Sequence, residues 1–258
     1  MNRIKKLFNN RKKPILSIYF TAGYPKINDT KKIINYLSKS GVNMIEIGIP
    51  FSDPIADGPV IQNSNKVALS NGMSLKLLLS QLIDLRETTD IPVILMGYIN
   101  PIIQYGMEDF IKDSKNCGID GFIIPDLPIN IYEKMYKDIF ESNDVCFIPL
   151  ISPKTPDDRI NLIDTLASGF IYMVSSSSVT GRLISSVNNR NKYFNRVNNL
   201  KLKNPTLVGF GIKDNKSFNQ VLKYSKGVII GTAFIDAITN SNDIENSVIS
   251  FIRSVKNL

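Results

Sequence analysis

Short apolar, β-branched runs alternate along the chain with segments whose apolar residues recur at helical spacing. Ile15-Leu16-Ser17-Ile18-Tyr19-Phe20-Thr21 predicts a first strand, closed by Gly23-Tyr24-Pro25. Val42 to Ile49 predicts a second, after a helical segment starting near Asp29, whose side chain suits an N-cap. Strands three to eight are predicted at Pro92 to Met96, Ile119 to Ile124, Val145 to Leu150, Phe170 to Val174, Thr206 to Phe210 and Gly227 to Ile230. Leu75, Leu78, Leu79, Leu82 and Leu85 have the spacing of a helix covering a sheet, and Ile244, Val248, Phe251, Ile252 and Val255 predict a closing helix. Eight strand-then-helix units fit an α/β fold of the (β/α)8 TIM-barrel type. An open doubly wound sheet competes, but no Gly-x-Gly-x-x-Gly follows the first strand. No linker or break in composition divides the chain, so residues 1–258 are read as one barrel domain.

Composition narrows the chemistry more than the fold. The 258 residues suffice for a full core, and 43% hydrophobic with 21% charged residues is ordinary for a globular protein. No apolar run approaches the roughly 20 residues that span a bilayer. No apolar signal region follows Met1-Asn2-Arg3-Ile4-Lys5-Lys6, which points to a cytoplasmic protein without membrane contact. Cys117 and Cys146, far apart in sequence, are expected as buried free thiols. Histidine is absent, which removes imidazole bases, His-based triads and His-ligated metals together. Proton transfer must then come from carboxylates, Tyr, Lys or Cys. The net charge of +8 is spread along the chain. Only Arg11-Lys12-Lys13 and the Arg190 to Lys203 region are locally basic, and a single Tyr193-Phe194 pair makes no stacking surface. A solvated basic surface is expected, with no nucleic-acid partner.

Against that background one stretch stands out. The run from Met44 to Pro59 places Glu46 inside an apolar strand and follows it with a Pro- and Gly-pinned loop carrying Asp53 and Asp57. An ionised carboxyl taken out of water is costly unless paired, and its pKa rises towards the range useful for proton transfer. The plainer reading is a strand-end Glu exposed to water beside a connecting turn. A second constellation lies in the later loops: Gly181 after strand six, Gly209-Phe210-Gly211-Ile212 after strand seven, and Gly231-Thr232-Ala233-Phe234 after strand eight. Glycines let backbone N–H groups approach an anion, and barrels place phosphate sites at loops seven and eight with a short helix N-terminus. A phosphate-binding end at loops six to eight is expected.

These residues together resemble the tryptophan synthase alpha subunit family along nearly the whole chain. The resemblance is carried by Tyr19 to Pro25, Glu46 to Gln62, Pro125-Asp126-Leu127-Pro128, Tyr172 to Gly181, Gly209 to Ile212 and Gly231-Thr232-Ala233. It implies retro-aldol cleavage of indole-3-glycerol phosphate to indole and glyceraldehyde 3-phosphate. Glu46 matches the family's acid/base and Asp57 the carboxylate that meets the indole N–H. Tyr19, Met96, Tyr98, Tyr172 and Phe210 would line the substrate pocket, with Thr180 on a loop that closes towards Asp57. Gly181, Gly211, Gly231 and Thr232 would hold the phosphate. The resemblance further implies no cofactor in this chain and a tryptophan synthase beta subunit, carrying pyridoxal phosphate, as partner in an alpha2beta2 assembly. Loop two from Pro50 to Pro59 and the segment Asp126 to Asn130 would face it, although Asp53 and Asp126 also suit plain turn capping. Ser178 stands where many relatives carry Gly, and Thr232 replaces the commoner Ser.

Two other readings remain at this point. A different phosphate-sugar barrel enzyme would share the glycine loops but not the Glu46 to Gln62 block. A catalytically weak regulatory subunit that mainly activates its beta partner would use the same loops, and retention of Glu46 and Asp57 speaks against it.

Overall fold

The apolar runs of the sequence become nine short parallel strands in a computed structural model that describes residues 1–10, 13–174, 187–209, 211–212 and 214–256. They are β1 Ile15–Thr21, β2 Met44–Gly48, β3 Val93–Met96, β4 Gly121–Ile123, β5 Cys146–Phe147, β6 Leu150–Ile151, β7 Ile171–Val174, β8 Thr206–Gly209 and β9 Gly227–Ile230. Their hydrogen-bonded order is β5-β4-β3-β2-β1-β9-β8-β7-β6. Every residue of β1 and β2 is buried, as expected where helices cover one face and a filled interior the other.

The two ends of that order meet. β5 and β6 are halves of the predicted fifth strand, interrupted at Ile148-Pro149. Proline has no N–H to give to a ladder. The Ile148 N–H donates to the Phe122 carbonyl on one side at 3.0 Å, while the Pro149 carbonyl accepts from Tyr172 N–H on the other at 3.0 Å. The strand changes neighbour at the proline and closes the ring. The result is the predicted (β/α)8 barrel, with its fifth stave split.

Helices between strands fall largely where the spacing predicts them, with two differences. The leucine-rich segment forms two helices, Leu75–Gln81 and Leu85–Thr88, yet Leu82 between them is still fully buried. In the helix Asp29–Lys39, Asn28 holds the N-cap position and makes no side-chain cap bond. Asp29 lies inside the first turn, 2% exposed and paired to Lys32 at 3.2 Å, so it does not cap the helix as its residue type suggested.

The helix Arg3–Asn10, which the polar N-terminal sequence concealed, seals the end of the barrel where the strands begin. Asn2 donates through Nδ2 to the carbonyls of Asp120 and Asp144 and accepts the Ile4 N–H through Oδ1. Fully buried Ile4 fills the space over Gly121 and Gly169. Asp120 ties this end together, binding Arg86 at 2.6 Å, Arg3 at 3.3 Å and the Val93 N–H at 3.0 Å. Both cysteines are buried and free, and burial pushes the Cys146 thiol up to about 11. Among the described residues, no helix is long and apolar enough to cross a membrane.

Candidate active site

Strand register assembles the site from residues far apart in sequence. Tyr19 of β1 pairs with Glu46 of β2, which pairs with Ile94 of β3. Side chains two apart share a face of a strand, so Ser17 and Tyr19 on β1 project to the same side as Met44, Glu46 and Gly48 on β2. Ser17 donates to Glu46 Oε1 at 2.8 Å, and both residues are fully buried. The other oxygen, Oε2, is buried with no hydrogen-bond partner. Loss of water drives the Glu46 pKa up to about 8, with the Ser17 hydroxyl pulling the other way.

Asp57 reaches the same region from the loop after β2. That loop is held by Asn65, whose side chain accepts the Phe51 N–H at 2.9 Å, and by Gln62, which donates to the Asp57 carbonyl at 2.9 Å. Phe51 lies against Tyr98 with ring centroids 5.1 Å apart. The Tyr98 hydroxyl accepts the Ala56 N–H at 3.1 Å and donates to Asp57 Oδ2 at 3.3 Å. Burial lifts the Asp57 pKa to about 6, and the Tyr98 hydrogen bond opposes the rise. Two carboxyls with different surroundings therefore sit near one another, each displaced towards neutrality.

Asp57 opens onto a small cavity of about 40 Å³ lined by Tyr19, Asp57, Met96, Tyr172, Gly211 and Thr232 among others. Gly231, Ile229, Ile212 and Ile61 complete the wall. Glu46 is not part of the lining; it sits beside Tyr19 in register, covered from the open space. Desolvation pushes the Tyr19 and Tyr172 hydroxyls far above their ordinary range, so both are neutral donors at any working pH. Their packing depends on two glycines. A Cβ on Gly48 would stand 2.2 Å from the Tyr19 hydroxyl oxygen, and one on Gly209 would stand 2.0 Å from that of Tyr172.

Of the residues singled out from sequence, Tyr19, Asp57, Met96, Tyr172, Gly211, Gly231 and Thr232 come together around this cavity, with Glu46 beside Tyr19 and Tyr98 on Asp57. Gly231 precedes the short helix Thr232–Ile238, and Thr232 opens it exposed to solvent. Thr180, Gly181 and Phe210, with Ser178, lie outside the described residues. Asp126 accepts the Ile99 N–H at 2.9 Å at the start of the helix Ile99–Tyr105, the capping role its residue type allows. Ser17, Gly48 and Ile61 were not singled out in the sequence, and Gly209 was read as part of a phosphate loop rather than as the seat of Tyr172. Ser17 and Gly48 were in principle findable, since each lies two residues from a singled-out side chain on the same strand face. Among the described residues no group of three or more acidic or cysteine side chains is placed to hold a metal.

A family model described as tryptophan synthase alpha chain matches residues 5–258. The chain is 55% identical over 258 residues to the tryptophan synthase alpha chain of Christiangramia forsetii and 52% identical to that of Flavobacterium psychrophilum, covering 100% of both chains in each case. Among solved structures it is similar to tryptophan synthase subunit alpha from Legionella pneumophila, at a TM-score of 0.89 and 34% identity over 100% of each chain. It is also similar to the aminoacrylate-bound form of tryptophan synthase from M. tuberculosis, at a TM-score of 0.86 and 25% identity, covering 99% of this chain and 100% of that one.

Proposed function

This chain belongs to the tryptophan synthase alpha chain family, which cleaves indole-3-glycerol phosphate to indole, and on that premise we propose that Glu46 and Asp57 divide the proton work of the cleavage. The observation that carries this reading is a buried Glu46 with one unpartnered oxygen, set beside Tyr19 of the cavity wall, together with a half-buried Asp57 that Tyr98 holds on the same wall.

Indole is a poor carbanion, so the bond between ring C3 and the glycerol chain breaks only after C3 has gained a proton. With a pKa of about 8, Glu46 is protonated at neutral pH and serves as that acid. Protonation leaves positive charge on the ring nitrogen, and ionised Asp57 facing the N–H stabilises it. The C–C electron pair then returns to the ring as indole. The hydroxyl on the departing carbon gives its proton to the Glu46 carboxylate and becomes the aldehyde of glyceraldehyde 3-phosphate. Glu46 ends as it began, and the proton count closes without a cofactor in this chain.

Gly211, Gly231 and Thr232, together with Gly181, supply backbone N–H groups and a hydroxyl for the phosphate at the helix that starts with Thr232. Tyr19, Met96, Tyr172 and Phe210 enclose the indole, Tyr98 aims Asp57, and Thr180 closes the loop over it. The chain works as one barrel domain in the cytoplasm, in an alpha2beta2 assembly whose beta subunit carries pyridoxal phosphate. Ile55, 73% exposed at the tip of loop two, supports that loop as part of the partner-facing surface.

The test is indole release from indole-3-glycerol phosphate by the purified chain, with and without a beta subunit, across pH. Expected is weak release alone that rises with the partner, with kcat/KM falling below pH about 6 as Asp57 protonates and above about 8 as Glu46 ionises. A chain that binds and activates the partner but releases no indole at any pH would move the reading to the regulatory subunit.

A further inference from the structure

The described residues hold several buried polar groups that the reaction scheme leaves unused, and Ser17 is the one in direct contact with its acid. Its hydroxyl has 0% exposure and donates to Glu46 Oε1 at 2.8 Å, across the gap between β1 and β2. Sequence separates the two residues by 29 positions; parallel pairing of the strands brings them together. The Glu46 carboxyl gains this one side-chain bond and leaves Oε2 bare in a site closed to solvent. Asp120 is instead bound through both oxygens, by Arg86, Arg3 and the Val93 N–H. Asp29 shares a bare oxygen but pairs its other one with Lys32, whereas Glu46 has no ion pair among the described residues. Single-sided attachment occupies Oε1 and leaves Oε2 for exchange.

We propose that Ser17 is a positioning residue for the cleavage: by holding Oε1 of Glu46 it leaves Oε2 as the oxygen that gives a proton to the substrate and takes one back. The proposal deepens the reading of Glu46 as the acid/base and rests on it. Because a hydroxyl donor favours the ionised carboxyl over the neutral one, Ser17 also opposes the burial that pushes Glu46 up, and so keeps the acid close to the working pH. Ser17 itself gains and loses no proton in the reaction.

Two measurements on the complex with a beta subunit test it. In Ser17→Ala, kcat for indole release is expected to drop roughly tenfold, with KM little changed. The alkaline limb of kcat/KM should move up by about one pH unit, since the removed bond favoured ionisation. Ser17→Cys, nearly the same size with a weaker donor, should fall between Ala and the parent in both. Infrared titration of the Glu46 carboxyl, assigned by subtraction of Glu46→Gln, should show the same upward shift without any need for turnover. If Ser17→Ala keeps the parent's rate profile, or if its infrared midpoint does not move, the positioning role is overturned. If Glu46→Gln retains cleavage, the reading of Glu46 fails instead, whatever the infrared midpoint does.

Discussion

Glu46, in the middle of β2, and Asp120, just before β4, are both almost wholly buried carboxyls, yet they sit in opposite circumstances. Asp120 lies where the strands begin, 3% exposed, with two guanidinium groups and a backbone N–H shared between its oxygens. Glu46 has one serine on one oxygen and nothing on the other. Asp120 joins the N-terminal helix, Arg86 and the strand start at Val93 into one satisfied network, so its burial is compensated. The burial of Glu46 is compensated only by the Ser17 hydroxyl, and its proton affinity rises in consequence. The contrast sets a carboxyl whose burial is met by charged partners apart from one whose burial is met by a single hydroxyl.

The sharpest way to break the comparison is to neutralise each carboxyl. Glu46→Gln should lose about 10²–10⁴-fold in kcat for indole release, measured with the beta subunit present. Asp120→Ala should instead lower stability by about 3–5 kcal/mol, because Arg86 and Arg3 are left without their counter-charge. Urea unfolding reads that loss, and kcat of the folded fraction should be unchanged. Equal catalytic losses in the two variants would erase the distinction.

A second test follows from pH. The folded pKa of Glu46, about 8, lies above the ordinary carboxylate value near 4.5. Below that ordinary value both folded and unfolded chains hold the proton, and Glu46 costs nothing. As pH rises to about 8 the unfolded chain ionises first, and the parent loses stability. Glu46→Gln escapes the loss, so its free energy of unfolding relative to the parent's should be lowest near pH 4 and grow up to pH about 8, by on the order of a few kcal/mol. A constant difference across that range would show that Glu46 titrates normally.

The smallest expected effect concerns Asp57. Tyr98→Phe removes the hydroxyl that favours its ionised form, so the acid limb of kcat/KM should move upward from about 6 by less than about one pH unit. A limb that stays in place would mean that burial alone sets the Asp57 pKa.

How much of this could be read from the chain depends on the range of the interaction. Strands such as β1 and β9 are contiguous β-branched runs, and their predicted bounds match those observed. Glu46 was legible because a lone carboxylate in an apolar run is conspicuous whatever surrounds it. The glycine loops were legible through their placement in loops six to eight of a barrel, whereas the role of Asp57 needed the family resemblance, since acidic turns are common. The split at Pro149 was missed although the proline was in view, because an apolar run of six residues reads as one strand until two different neighbours claim its halves. The helix Arg3–Asn10 was hidden by its polar composition; what holds it is Ile4 and the reach of Asn2 to Asp120 and Asp144, contacts of more than a hundred residues' separation. Ser17 shares a strand face with Tyr19 and could be suspected on that ground, but its bond to Glu46 depends on a register that brings together residues 29 positions apart.

The two glycines beneath the tyrosines carry a consequence for how this chain can evolve. Even without its hydroxyl, the ring of residue 19 would stand 2.7 Å from a Cβ at position 48, and that of residue 172 would stand 2.3 Å from one at position 209. Trimming either tyrosine to phenylalanine therefore does not make room for alanine. A lineage that replaces either glycine has to trade the facing aromatic for a smaller side chain first, and in doing so widens the cavity before it can narrow it again. Positions 19 and 48, and positions 172 and 209, should change as pairs and in that order.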